Sequence, residues 1–376
     1  MTQSNALGFL LKPTFPTLTV RNKSLDQGVS FFITIVSMVF VFFVPFLLNR
    51  TPGGDALTLL DAYSRMDGCN MWGPITESRG SYPCTALILN SVGVDFNNAW
   101  LYGGVVNIML TFIPVLLFKK ISLSMFLINC GWGVVRALFL VNLSKELIVG
   151  FVVAFILFLV LCKKPKFGWI FGASLYGFTT RAYWLLCLLV WAGLEFFKNR
   201  LSPVKMIFGV FATYFILSIT FIAVLGFTVS SIRLNTNDGR ILGEEGARTL
   251  IVPFLSSENF IVQTFDLFLT FFRLAFPIEL LVLSPGISQL VVVIIMPITF
   301  FWMAKFLISR PSNGDGDKFF NDAKSMISIP FCFLIIQGLF EPDYGSFIRH
   351  FSMLAPLLFV GYGMLSKSKA ISVYGK

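Results

Sequence analysis

The chain reads as an all-α, polytopic integral membrane protein of about ten transmembrane helices, and three observations lead there. Of its 376 residues 56% are hydrophobic and only 13% charged, with a mean hydropathy of +0.80. That is more apolar surface than a soluble globule can hide. The apolar residues also fall in runs of about 20 joined by short polar segments, the length a bilayer demands. When these runs are threaded alternately, basic residues collect on one side, as the positive-inside bias requires.

Taken in order, the spans fall at about 29–48, 99–118, 121–140, 147–162, 167–180, 182–197, 206–228, 287–308, 323–340 and 351–366. The first run is too long for the apolar region of a signal peptide and lacks a small-residue cleavage site, so it is read as a retained span. The fifth and sixth runs are short, with Arg181 between them. Residues 250–285 do not form a simple span, because Asp266, Arg273 and Glu279 interrupt a Phe-rich run. They read as an interfacial helix or hairpin on the outer face. A conventional span there, with a buried Asp266–Arg273 pair, would place the basic 305–324 loop outside, against the charge bias. The whole of 1–376 is thus one transmembrane domain with outer loops 49–98, 229–286 and 341–350, and both termini are cytoplasmic.

With that threading, 18 of the 29 cations lie inside with 5 acids, leaving 11 cations and 14 acids outside. The assignment uses only the sum of Lys and Arg, yet the two types separate. Fifteen of the 18 inside are Lys, whereas ten of the 11 outside are Arg: 50, 65, 79, 136, 181, 233, 240, 248, 273 and 349. Lys needs only water and anionic lipid around it, while the rigid guanidinium fork suits bidentate grip on phosphate or carboxylate. The ordinary alternative is that these Arg pair with the outside acids or snorkel at the interface. Arg136, Arg181, Arg273 and Arg349 sit at the membrane boundary, where they would close around a pyrophosphate at headgroup level. The net charge of +10 implies no nucleic-acid partner, because its excess lies on loops facing anionic headgroups.

Four cysteines, Cys130, Cys162, Cys187 and Cys332, lie in or beside apolar runs as small core residues. Cys69 and Cys84, fifteen apart in the first outer loop, are expected to form a disulfide in an oxidising compartment. With one His, no CxxC and no HExxH, the common zinc arrangements are excluded, no metal site is assigned and no cofactor is expected. A carboxylate-bound divalent cation stays open.

Two outer segments concentrate the chemistry. In the first, Thr51 to Asp67, Asp55 follows a Gly pair and caps a short helix with Asp61 and Arg65 as neighbours, or acts as a general base or metal ligand at the membrane surface. The second runs Phe340-Glu341-Pro-Asp343-Tyr344-Gly-Ser-Phe-Ile-Arg349-His350-Phe351. Its Pro and Gly predict a turn that folds the acids back toward Arg349 and the only His of the chain. Charged groups so near hydrocarbon are costly, which marks the segment as a candidate site.

These residues resemble the Wzy-type polymerases of bacterial O-antigen and capsular polysaccharide, and more distantly the GT-C glycosyltransferases. The GT-C likeness rests on Gly53-Gly54-Asp55, Asp61-Ala-Tyr63 and Tyr82-Pro83-Cys84. The Wzy likeness rests on Asp343-Tyr344-Gly345-Ser346 through Arg349-His350, similar to a GT/S…RHR segment before a terminal span. Phe351 stands where a further basic residue is often seen, and the 229–286 region is shorter than the large loop of that family. The resemblance implies polymerisation of undecaprenyl-pyrophosphate-linked oligosaccharide on the periplasmic face of a bacterial inner membrane, with a chain-length regulator as a candidate partner. Arg136, Arg181, Arg273 and Arg349 would stabilise the departing pyrophosphate. His350, Asp55 and Glu341, in that order, and then Asp343, are the candidate bases. Two other readings stand beside it: a GT-C transferase using a polyprenyl-phosphate sugar, and a polysaccharide flippase, which would carry charges near the bilayer midplane.

Overall fold

The computed structural model describes residues 24–26, 54–64, 69, 81–116, 120–140, 142–198, 200–229, 231, 249–255, 257, 259–284, 286–309 and 318–374. The span expected at 29–48, and Arg50, Arg65, Arg79, Arg233, Arg240 and Arg248, lie outside these residues.

Among the described residues the chain is helical apart from one short antiparallel pair, β1 (Ser24–Asp26) with β2 (Lys120–Ser122). The helices are α1 (Gly54–Tyr63), α2 (Ser81–Ser91), α3 (Ala99–Leu116), α4 (Leu123–Leu140), α5 (Glu146–Leu161), α6 (Pro165–Thr179) and α7 (Tyr183–Phe197). There follow α8 (Pro203–Leu225), α9 (Phe260–Ala275), the single turn α10 (Leu280–Leu283), α11 (Ile287–Ile308), α12 (Lys318–Phe340) and α13 (Tyr344–Tyr374). Five stretches are long and apolar enough to cross a membrane: 123–140, 203–225, 289–308, 318–340 and 344–365. α3, α5 and α7 are shorter apolar helices.

The bundle is built around α12 and α13, joined by a three-residue turn. In their apolar windows 94% and 83% of residues are buried, against 17% for α8 on the periphery. A side chain on Gly361 would meet the Ala323 carbonyl at 2.9 Å, so glycine there lets the two helices close together. Gly338 similarly leaves room for Tyr214 of α8, whose hydroxyl donates to the Ile335 carbonyl at 2.8 Å. Peripheral helices instead turn large apolar side chains outward, as Phe208 at 70% and Leu189 at 68% do, an arrangement suited to lipid rather than water.

The 250–285 region forms α9 and α10. The buried face of α9, including Asp266, Thr270, Phe271 and Leu274, packs into the bundle, with Phe271 against Phe300 and Phe331. Asp266 accepts from the Phe254 and Leu255 backbone at 2.6 and 3.0 Å and so fixes the chain entering α9, while Arg273 pairs with Glu279.

Residues 344–350, expected as loop, are the first two turns of α13. Asp343 accepts from the Ser346 N–H at 2.7 Å and the Ser346 hydroxyl at 2.9 Å, starting the helix seven residues earlier than hydropathy alone suggests.

Cys69 and Cys84 are joined, with an S–S distance of 2.17 Å, tethering Cys69 to the first turn of α2. Cys84→Ser is expected to cost about 3 kcal/mol by the loop-entropy argument for a 15-residue closure. A reduced thermal midpoint that matches wild type under reducing conditions would check it.

At the far end of the bundle from residues 341–350, Glu195 is paired with Lys198 and with Lys166 at 3.2 Å, and accepts from the Ser325 hydroxyl at 2.9 Å. Buried Lys324 donates to the Lys198 carbonyl at 2.9 Å. These contacts fasten α7 to α12.

Candidate functional site

Where α5, α6 and α7 meet the α12–α13 turn, charged side chains converge in a largely buried cluster. Each is delivered at or near a helix end, where the chain changes direction. Glu146 opens α5, Arg181 lies in the turn between α6 and α7, Glu341 follows α12, and Arg349 and His350 ride on the second turn of α13.

The Glu146 carboxylate, fully buried, is the centre. Its Oε1 is 3.2 Å from Arg349 Nε, 3.0 Å from His350 Nε2 and 3.9 Å from an Arg181 terminal nitrogen. Neither Glu146 oxygen accepts a well-aligned hydrogen bond among the described residues. The ion-pair distances without the angles mean that charge, rather than directed bonding, holds this group.

His350 bridges the two carboxylates. Its Nδ1 is 3.2 Å from Glu341 Oε2, while Nε2 faces both Arg181 at 2.6 Å and Glu146. In a neutral imidazole, Nδ1–H donates to Glu341 and Nε2 accepts from Arg181. A protonated ring turns Nε2 into a donor, for which Glu146 is the available acceptor. Glu341 therefore sets the tautomer, and Nε2 is the proton-exchanging nitrogen.

Arg181 also donates to the Tyr183 hydroxyl at 2.9 Å. Burial opposes its charge, but the Tyr183 and Tyr176 hydroxyls and Glu146 outweigh burial and hold its pKa above the ordinary guanidinium value. Arg349 donates weakly to the Ser346 hydroxyl at 3.5 Å.

The other residues expected at the site are placed differently. Arg136 is wholly buried and bound to neutral oxygens: Asn107 Oδ1 at 3.0 Å, the Ser352 carbonyl at 3.0 Å and Thr111 Oγ1 at 2.6 Å. It ties α4 to α3 and α13 and stands apart from the Glu146 cluster. Arg273 forms a bidentate pair with Glu279 at 2.9 and 2.6 Å, while the Tyr344 hydroxyl donates to the same Glu279 at 3.0 Å. Its fork is engaged locally, six residues along the chain. Asp343 is the helix-starting group described above. Asp55 lies in the first turn of α1, and its side chain lies outside the described residues. The four Arg expected to act together thus divide into two in the cluster, Arg181 and Arg349, and two held elsewhere.

Glu146, Tyr176 and Tyr183 are site residues that sequence reasoning passed over. The signal for Glu146 was an acid opening an apolar run on the Arg-rich side, which on its own reads as an ordinary helix-start charge.

Among the described residues no group of three or more His, Cys, Asp or Glu is placed to hold a metal ion. A mostly apolar cleft of about 190 Å³ opens beside α13, lined by Val135, Leu138, Leu280, Val292, Gly345 and Ile348. Gly345 and Ile348 precede Arg349 by four residues and one, so the cleft adjoins the charged turn. No protein-family model, curated protein or solved structure matches the chain. The functional reading therefore rests on the chain's own chemistry.

Proposed function

We propose that the chain is a membrane glycosyltransferase that polymerises undecaprenyl-pyrophosphate-linked oligosaccharide repeat units into O-antigen or capsular polysaccharide at the periplasmic face of the inner membrane. The observation that carries this reading is the convergence of Arg181, Arg349 and the Glu341-bound His350 on Glu146 at one end of an apolar bundle. Such transfer needs a grip on the departing pyrophosphate and a base for the acceptor hydroxyl, and this cluster offers both.

In the proposed step the acceptor oxygen bonds to the anomeric carbon of the donor glycan as the carbon–oxygen bond to pyrophosphate breaks. Arg181 turns from Nε2 to the pyrophosphate, the hydroxyl proton passes to the freed His350 Nε2, Glu341 steadies the resulting imidazolium through Nδ1, and undecaprenyl pyrophosphate leaves with its charge met by Arg181 and Arg349. About ten spans with both termini cytoplasmic remain the topology this function calls for, since it sets the Arg-rich side outward.

The test is made in cells in which this chain is the only polymerase. Arg349→Ala and His350→Ala are expected to leave single repeat units on the lipid core, seen on a polysaccharide gel, at wild-type levels of the protein in the membrane. Long modal polysaccharide from either variant would overturn the assignment of this site. A sugar-adding transferase would instead leave a full ladder of altered composition.

A further inference from the structure

We propose that the Glu146 carboxylate is a resident anion, which holds the cradle of Arg181, Arg349 and His350 until an anionic ligand enters and Glu146 gives way by taking up a proton. This rests on the reading above that the cradle binds a phosphate group.

Three cationic or proton-accepting groups from two separate stretches of chain approach one oxygen, Oε1, at 3.0 to 3.9 Å. An arrangement made only to fasten helices would show directed bonds, as Arg273–Glu279 and Arg136 do, yet neither oxygen of Glu146 has one among the described residues. The carboxylate occupies the position of an anion without the bidentate geometry a phosphate gives a guanidinium fork.

Two anions cannot share so small and dry a cradle, because like charges about 4 Å apart repel strongly where water is excluded. Glu146 has no exposed surface through which to swing its charge into water. Protonation is the route left to it. The groups that face it are Arg349 and His350 from α13, Arg181 from the α6–α7 turn and Tyr176 from α6, with Glu341 behind the imidazole. Tyr176 is buried, is coupled electrostatically to Glu146, and its hydroxyl has no hydrogen-bond partner among the described residues.

Because uptake of a proton by Glu146 is favoured as pH falls, anion affinity of the wild type rises on acidification. Glu146→Gln is neutral at every pH and lacks that contribution.

The experiment is calorimetric titration of purified full-length protein in nanodiscs with inorganic pyrophosphate, repeated in buffers of different ionisation enthalpy to count protons. Glu146→Gln is expected to bind at least about a hundredfold more tightly than wild type near neutral pH, and wild type to take up about one more proton per pyrophosphate than the variant. Equal or weaker binding by Glu146→Gln, or equal proton counts, would overturn the proposal while leaving the phosphate-grip reading intact, provided Arg349→Ala abolishes binding. No pyrophosphate binding by wild type or Glu146→Gln, or full binding by Arg349→Ala, would overturn the phosphate grip and this proposal with it. Should Glu146→Gln fail to fold, Glu146→Asp keeps the charge and withdraws it by one methylene; it is expected to bind more tightly than wild type, and wild-type affinity would count against the proposal.

Discussion

Glu146→Ala is expected to lower the stability of the protein by about 3–5 kcal/mol, the scale found when one partner of a buried charge pair is deleted. The physical cause is what stays behind. Arg349 and Arg181 remain close to one another and to His350, at 18%, 14% and 6% side-chain exposure, with their shared carboxylate gone. Thermal unfolding in detergent or nanodiscs would show the loss as a lower midpoint, and added pyrophosphate should restore part of it by binding the folded state alone. Glu146→Gln should lose less, because it retains the volume and the polar atoms. A Glu146→Ala midpoint equal to wild type would mean that the three groups do not depend on this carboxylate.

Arg136→Ala is expected to cost a comparable amount, about 3–5 kcal/mol, for a different reason. It empties a fully buried site and withdraws donors from Asn107, Thr111 and the Ser352 carbonyl, which joins α3, α4 and α13. Arg136→Lys should recover little, since a single ammonium cannot reach the three acceptors that the planar fork spans. The folded fraction should still bind pyrophosphate with unchanged affinity. That separates Arg136 from Arg181 and Arg349: unfolding measurements report the damage, and titration of the surviving folded protein reports an intact cradle. Loss of pyrophosphate binding by well-folded Arg136→Ala would return this residue to the phosphate site.

The residues divide by whether their partners are near in sequence. Arg349 and His350 were legible because the acids that share their turn lie within ten residues, and a Pro-Gly segment announces a turn. Arg181 was legible because it splits two short apolar runs. The pairing of Arg273 with Glu279 was also within reach, six residues away, but composition alone counted Arg273 as available. Arg136 looked like a boundary Arg because its acceptors, Asn107 and Thr111, sit one helix earlier at a four-residue spacing that marks a polar face; only packing shows that this face meets α4. Glu146 was hidden most deeply. Its partners lie 35 and about 204 residues away, and no periodicity relates them.

Helix boundaries show the same division. The apolar stretch of α13 was evident, but its first two turns carry Arg349, His350 and Ser346, so hydropathy placed them in a loop. The Asp343–Ser346 cap is a local polar signal that starts the helix there. This difference matters for the chemistry, because a helix fixes Arg349 and His350 more firmly than a loop would. It also accounts for how a histidine on α13 meets both a residue at the α5 start and one in the α6–α7 turn.

Polymerisation by the purified protein of lipid-linked repeat units, extracted from cells lacking this chain, is read directly by gel analysis of glycan length. Wild type is expected to give a ladder, His350→Ala single units, and an Arg181→Ala, Arg349→Ala double variant single units, each variant shown to be folded. A full ladder from the folded His350→Ala protein would contradict the role given to His350.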